Sequence, residues 1–346
     1  MEPNEPKKNN ITINDIAEKL GISASTVSRA LNDHPKINIK TKESIWALAK
    51  QMGYYPNVPV YMNKTSHTSV AIIVPEFNFF YNDLIKGAQN YFNKKTIILY
   101  VLCSQYDNER EKNLLTECRN IGMKGIILSV FENNIEINRL IEENLEEIPI
   151  VLINKFEDNL QVSKIIPDIH NGAYKAVNHL YSTGCRKIGL FSGSSINTLF
   201  AELRFGYESA LKSLDIECND NYLYFSNFGQ NDIAHGIEKL INRVDRPDGL
   251  LVADQYVAQQ IVAYLRNAGL NVPQDIAIIS FGDEPFGSFV SPSLSTISIS
   301  GENIGRLAAK EIYKTMFDKT KATATVIEQA KVIIRGSSMR MNVAKV

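Results

Sequence analysis

The stretch from Ile11 to Leu31, ITINDIAEKLGISASTVSRAL, constrains the fold of this chain more than any other. It reads as two short helices joined by a tight turn. Thr12 can cap the first helix, and Asp15, three residues on, completes a near capping box. Ile16, Ala17 and Leu20 fall at i, i+1 and i+4 and form an inward stripe. Gly21 stands where the chain must leave the helix in a left-handed conformation that glycine adopts cheaply. Ser23 can cap the second helix, which buries Val27, Ala30 and Leu31 and turns Ala24, Ser25, Thr26, Ser28 and Arg29 outward. Ala17 is small enough for two helices to cross steeply. The pattern is that of a helix-turn-helix, whose second helix lies in the major groove of DNA. An ordinary solvated face would be rich in Lys and Glu. Short hydroxyls and one arginine instead allow close approach to phosphates and base edges, and this decides against a generic helical hairpin.

A third helix is expected from a cap at Asn38, burying Ile45, Leu48, Ala49 and Met52 and stopping at Gly53. Pro56 and Pro59 forbid simple continuation of that helix, so the chain up to residue 68 reads as a linker. From Ser69 the grammar changes. Apolar runs of strand length (70–74, 96–102, 125–130, 148–153) alternate with amphipathic stretches at 81–93, 107–120 and 135–146. After a polar break at 154–163 the alternation restarts, with strands near 164–166, 187–191, 222–225, 248–252 and 275–280. Helices are expected near 170–183, 199–213, 231–242, 254–268 and 300–318. Continuous apolar strands separated by helices mean parallel sheet covered on both faces. Two similar halves predict two doubly wound lobes with a cleft between them, and 346 residues are enough for more than one core.

Charge is unevenly distributed. Residues 1–68 carry nine Lys and Arg against six Asp and Glu, and the remainder 28 against 32. A mildly basic head on an acidic body suits a head that meets phosphates. The opening MEPNEPKKNN is polar, expected to be disordered, and has no apolar run to serve as a signal peptide. No segment approaches the ~20 apolar residues of a membrane helix. Cys103, Cys118, Cys185 and Cys218 are scattered and the five histidines lack ligand spacing, so no metal site, catalytic cluster or cofactor is expected. The first strand runs into VPEFNFF without a Gly-x-Gly-x-x-Gly loop, and there is no Walker sequence or Gly-x-Ser-x-Gly elbow. An enzyme is therefore not expected. A sugar-transport protein of similar architecture would need a signal peptide and would have no use for residues 11–57. The same features point to a cytoplasmic location.

The block TINDIAEKLGISASTVSRALND, followed by INIKTKESIWALAKQMGYYPN, resembles the three-helix headpiece of the LacI-type (LacI/GalR) transcriptional regulators. GAYKAVNHLYSTGCRKIGLFSGS, RPDGLLVADQYVA, NVPQDIAIISFGDEP and SPSLSTISI resemble landmarks of that family's effector-binding core, in order. The resemblance implies an α/β core of two periplasmic-binding-protein-like lobes behind an all-α headpiece at 11–57, a hinge at 58–68 and a core at 69–340. It also implies that the chain crosses between lobes more than once. We expect lobe 1 to hold approximately 69–163 and 296–322, and lobe 2 approximately 164–295 and 323–340. Function is implied with it: a repressor binding a palindromic DNA operator as a homodimer, modulated by a small-molecule effector, a sugar or related metabolite.

By the same resemblance Ala24 and Ser25 set base preference and Arg29 aims at guanine. Thr12, Ser23, Thr26, Ser28 and Asn32 match phosphate-facing positions, and Tyr54 and Asn57 of the Tyr-x-Pro-Asn exit join the DNA-binding set. The hinge departs from the family pattern. Val60 stands where an alanine is usual, Asn63 where a leucine wedges into the minor groove, and Pro59 falls inside the expected helix. Weaker operator bending is expected.

In the cleft, Phe77, Phe79 and Phe80 stand where an aromatic often stacks on the ligand, with core packing as the other reading of such a cluster, and Asn154, Asp168 and Phe281 match lining positions. Asp254 matches an aspartate whose usual asparagine neighbour is Ala253. The usual arginine position is Leu203, with Arg204 one step later, and the first of two acidic positions is Gly282, leaving Asp283. Two readings stay open: a flatter or more aromatic effector, or a cleft that no longer binds a simple sugar.

Overall fold

The computed structural model describes residues 11–31, 34–52, 54, 68–130, 132, 135–145, 148–154, 160–317 and 323–340. The expected N-terminal tail, Asn32, Asn57 and the linker at 58–67 lie outside them. Residues 11–54 form one compact helical unit, and the α/β elements from Thr68 onward form a second.

In the small unit, α1 spans Ile13–Leu20, α2 Ala24–Leu31 and α3 Ile39–Gln51. The capping box at Thr12 is complete. The Asp15 N–H donates to the Thr12 hydroxyl oxygen, while the Thr12 N–H and hydroxyl both donate to the Asp15 carboxylate at 2.6 and 2.7 Å. Such a cap contributes about 1 kcal/mol. Gly21 closes α1 at φ 64°, and the Ile22 N–H returns to the Ala17 carbonyl at 3.0 Å. Ile16, Ala17, Val27, Ala30, Leu31, Ile45 and Ala49 make a small core. Leu48 and Met52 pack half-buried at its rim.

The large unit contains two six-stranded sheets. In the first, the order is β11-β5-β4-β3-β1-β2, with β1 Thr68–Val74, β2 Ile97–Cys103, β3 Gly125–Ser129, β4 Ile150–Ile153, β5 Ser163–Pro167 and β11 Thr325–Glu328. All its pairings are parallel. In the second, the order is β12-β10-β9-β8-β6-β7, with β6 Ile188–Ser192, β7 Leu223–Phe225, β8 Gly249–Val252, β9 Ala277–Phe281, β10 Ser295–Ser298 and β12 Lys331–Ile333. There β12 alone runs antiparallel. The central strands β1, β3 and β4 of the first sheet and β6 and β8 of the second are buried almost throughout, as a sheet covered on both faces requires. Between strands lie α4 Phe79–Asn93, α5 Asn108–Asn120, α6 Ile135–Leu145, α7 Ile169–Ser182, α8 Thr198–Ser213, α9 Gln230–Ile241, α10 Gln255–Asn267 and α11 Gly301–Phe317.

The chain crosses between the lobes three times: from β5 to α7, from β10 to α11, and from β11 to β12. This corrects the expected lobe boundaries. Residues 164–166 belong to the first sheet, because β5 takes its register from β4, with Val151 opposite Ser163. STIS belongs to the second, because β10 pairs with β9, with Ser295 opposite Ile279. VIEQAKVIIRG is divided, since β11 edges the first sheet and β12 the second. An apolar run shows that a strand exists, but its partner across the sheet is set by long-range register.

Helix α11 lies tightly on α4. A Cβ at Gly87 would meet the Glu302 backbone, and one at Gly305 would meet the Leu84 carbonyl. The two backbones therefore approach at a distance that only hydrogen at these positions permits, which ties the C-terminal helix to the first lobe.

Candidate nucleic-acid interface and interlobe cleft

Helix α2 presents Ser25 and Arg29 as exposed side chains, while Ala24, Thr26 and Ser28 are half-buried at its margins. Ser23 precedes the helix and accepts from the Thr26 N–H at 3.2 Å. Its hydroxyl also lies 2.9 Å from that of Ser25 and 2.8 Å from that of Thr26. One end of α2 thus carries three hydroxyls clustered around Ser23, and Arg29 stands further along the helix. Helix N-termini with spare donors and short polar groups suit anionic oxygens. Thr12 is exposed at the start of α1, with its hydroxyl proton committed to Asp15. Tyr54 is placed differently from Ser25 and Arg29. It packs half-buried against the headpiece core, its N–H donates to the Ala49 carbonyl at 2.8 Å, and burial raises its phenol.

Between the two sheets of the large unit lies a cavity of about 560 Å³, at the carboxyl ends of the strands. Ligands of doubly wound folds bind at this edge. Of the residues expected there, Phe80, Asn154, Asp254 and Phe281 line it. The other five do not. Phe77 is exposed, and Phe79 turns to the rim to meet Phe286. Asp168 caps α7 and accepts from the Asn171 N–H and side-chain amide. Arg204 pairs with Glu208 at 2.6 Å and stacks over Phe225. Asp283 is bound by Arg335 at 2.8 Å and accepts from the Thr296 hydroxyl. Ala253 and Gly282, which replace two usual polar groups, do line the cavity, whereas Leu203 is core.

Sequence reasoning missed Glu76, Asn78, Tyr81, Tyr106, Phe200 and Phe228, and also Tyr256 and Glu284. Most of these follow a strand end or open a helix, which was the available signal. Asn78, Asn197 and Asp254 each cap a helix, accepting from Tyr81, Leu199 and Val257 N–H groups at 3.0, 2.9 and 2.8 Å. Glu76 accepts from the Asn78 amide at 2.7 Å and the Tyr106 hydroxyl at 2.6 Å. Asn154 donates to the Val130 carbonyl at 2.7 Å. Phe200 and Phe228 stack with centroids 5.3 Å apart. Tyr106, Asn154 and Phe228 hold φ of 57°, 98° and 62°, an uncommon backbone region for non-glycine residues. Strain of this kind, gathered around one cavity, marks a functional site.

Glu284 is fixed by its backbone. Its N–H donates to the Gln255 amide oxygen at 2.6 Å, and its carbonyl accepts from the Gln255 amide at 3.1 Å. Burial pushes the Glu284 carboxyl up to about 7, with the charges of Asp254 and Glu76 acting the same way, and burial also raises Asp254.

Residues 12–57 match the model of bacterial regulatory proteins, lacI family, and residues 177–338 match the periplasmic binding protein-like domain. This chain belongs to the lacI family of bacterial regulatory proteins. As a lacI-family member it is a DNA-binding transcriptional regulator with a helix-turn-helix head and an effector-binding body. It is 25% identical to the HTH-type transcriptional repressor PurR of Aliivibrio salmonicida over 310 residues, covering 89% of this chain and 93% of that protein. It is 27% identical to the NTD biosynthesis operon regulator NtdR of Bacillus subtilis over 330 residues, covering 94% and 99%. Its fold matches the lac repressor dimer bound to operator and the anti-inducer ONPF, with TM-score 0.73 at 18% identity, covering 96% of this chain and all of that one. Relatives of this kind are regulators rather than enzymes. No described helix is long and apolar enough to cross a membrane.

Proposed function

We propose that this lacI-family chain is a cytoplasmic repressor that binds a two-fold related operator as a homodimer and releases or tightens on it when a small molecule occupies the interlobe cavity. The observation that carries the reading is the outer face of α2, with exposed Ser25 and Arg29 beside the Ser23 hydroxyl cluster. Arg29 reads guanine, where a bidentate contact is worth roughly 1–3 kcal/mol, and Ala24 and Ser25 tune preference at the first bases. Thr12, Ser23, Thr26, Ser28 and Asn32 hold phosphates and fix register. One such head makes too few contacts for tight binding, so pairing of two chains on a palindrome supplies the rest. The lac repressor neighbour, a dimer bound to operator, supports this assembly.

The cavity's position at the strand ends of both lobes supports the second half of the reading. A ligand that contacts both lobes stabilises one lobe arrangement over another, and so couples to DNA affinity. Selecting bound fragments from the source genome with the full-length protein tests the proposal. A recurrent palindrome retained with salt-dependent affinity is the expected result. Equal retention of all fragments by the parent protein and by Arg29→Ala would refute it.

A further inference from the structure

The chemistry of the interlobe cavity is one-sided. Its lining includes three carboxylates, those of Glu76, Asp254 and Glu284, and among the described residues no Lys, Arg or His. No ion pair reaches any of the three among the described residues. Three of the side-chain donors on the walls are already engaged. The Asn154 amide is spent on Val130, and the Asn78 amide and Tyr106 hydroxyl on Glu76. The helix ends at Asn78, Asn197 and Asp254 are each capped by their own side chain, which takes up a backbone donor at each end. The cavity therefore offers a ligand mainly acceptor capacity, set among aromatic rings.

Resting on the reading that this cavity takes a regulatory ligand, we propose that the ligand is an organic cation. It is a ring-bearing amine whose ammonium group sits at Glu284, in the field of Asp254 and Glu76, while its body lies against the aromatic walls. An ammonium has three donors and no acceptor, the complement of this lining. Tyr106, Tyr256 and the Phe200–Phe228 pair add ring faces that attract a cation and cover an apolar body. A neutral sugar needs donors as well as acceptors, and an anion would meet carboxyl groups with no basic side chain among the described walls to balance it. A bare metal ion does not suit the site, since among the described residues no three His, Cys, Asp or Glu side chains come together as a metal-binding group. Glu284 is the focal counter-ion. Gln255 pins its backbone on both sides, and no hydrogen bond or ion pair engages its carboxylate among the described residues.

The test uses the full-length protein and matched probes that differ mainly in charge: glucosamine, galactosamine, tyramine and tryptamine, each beside its N-acetyl counterpart. Calorimetry and thermal shift are expected to show at least one amine binding about tenfold or more tighter than its acetylated partner, a gap of ~1.4 kcal/mol. Glu284→Gln and Asp254→Asn (the latter keeps a capping acceptor) are each expected to lose about tenfold in affinity for that amine, whereas Glu217→Gln on the surface keeps it. The proposal is overturned if no amine outbinds its acetylated partner, or if both cavity variants bind the amine as the parent does. Gel shifts on a selected duplex separate this from the regulatory reading. An amine that binds with the expected charge preference yet leaves DNA affinity unchanged supports the cation site and overturns its regulatory use. A neutral compound that alters DNA affinity while no amine binds does the reverse.

Discussion

Phe79 at the first turn of α4 and Phe286 in the 3-10 turn after β9 meet edge-to-face across the mouth of the cavity, with ring centroids 5.5 Å apart and planes at 66°. One ring belongs to the first lobe and the other to the second, so the pair is a direct apolar link between the two bodies that close on the ligand. Edge-to-face pairs contribute roughly 0.5–1.5 kcal/mol beyond area burial. Phe79→Ala is therefore expected to speed amide exchange at the start of α4 and in the turn at 285–288 by about 2- to 13-fold, without changing the core of either sheet. Equal protection in parent and variant would show that the lobes do not depend on this contact.

Arg29→Ala is expected to weaken binding to a selected operator by roughly 5- to 150-fold while leaving non-specific affinity much closer to the parent value. Competition gel shifts with scrambled duplex measure the ratio. A uniform loss on both duplexes would mean that Arg29 holds phosphate and does not read a base.

Gly305→Ala puts a methyl group into the Leu84 carbonyl, and the neighbouring backbone cannot yield as a flexible side chain would. Overpacking of this kind costs about 1–3 kcal/mol. Thermal melting of the full chain is expected to fall by several degrees. An unchanged melting temperature would contradict the close α4–α11 approach.

Glu111 on α5 is a fully buried carboxyl that burial pushes up to about 7, with Ser104 acting in the opposite direction. The unfolded chain releases this proton near 4.5 and the folded chain holds it to about 7. The group's contribution to stability is thus complete below the lower value and is lost as pH rises through the upper one. Glu111→Gln is expected to remove this slope and to raise stability at pH 8 relative to the parent, by an amount on the order of 3 kcal/mol. Parallel pH–stability curves for parent and variant would refute it.

The hinge prediction rests on sequence alone. With Asn63 at the wedge position and Pro59 inside the segment, the operator is expected to bend less than in relatives that carry the leucine. Circular-permutation gel shifts on a selected operator measure the angle, and a full bend would overturn the expectation.

Much of this protein is legible in its sequence. The helix-turn-helix depends on neighbours three or four residues apart: Thr12 with Asp15, Ala17 with Gly21, and Ser23 with Thr26. Local chemistry of that range is written directly in the chain, as are the strand and helix periods of the core. The cleft is half legible. Asp254 and Phe281 lie at strand ends, where doubly wound sheets place their sites, but Asp283 and Arg204 have partners of their own in Arg335 and Glu208. Adjacent positions at a strand or helix end point in different directions, and the Asn78 cap decides which phenylalanine enters the cavity and which turns to the rim.

Only the tertiary structure decided which sheet each late strand joins, and that Glu76, Asp254 and Glu284, carried by three separate loops, face one enclosed space with no basic side chain among its described walls. Sheet membership comes from pairings between separate strands, from Ser295 with Ile279 to Lys164 with Thr325, and no local period encodes them. Electrostatic character is likewise a property of the assembled cavity: each carboxylate is ordinary in its own segment, and their chemistry appears only when folding brings them partly buried to one cavity.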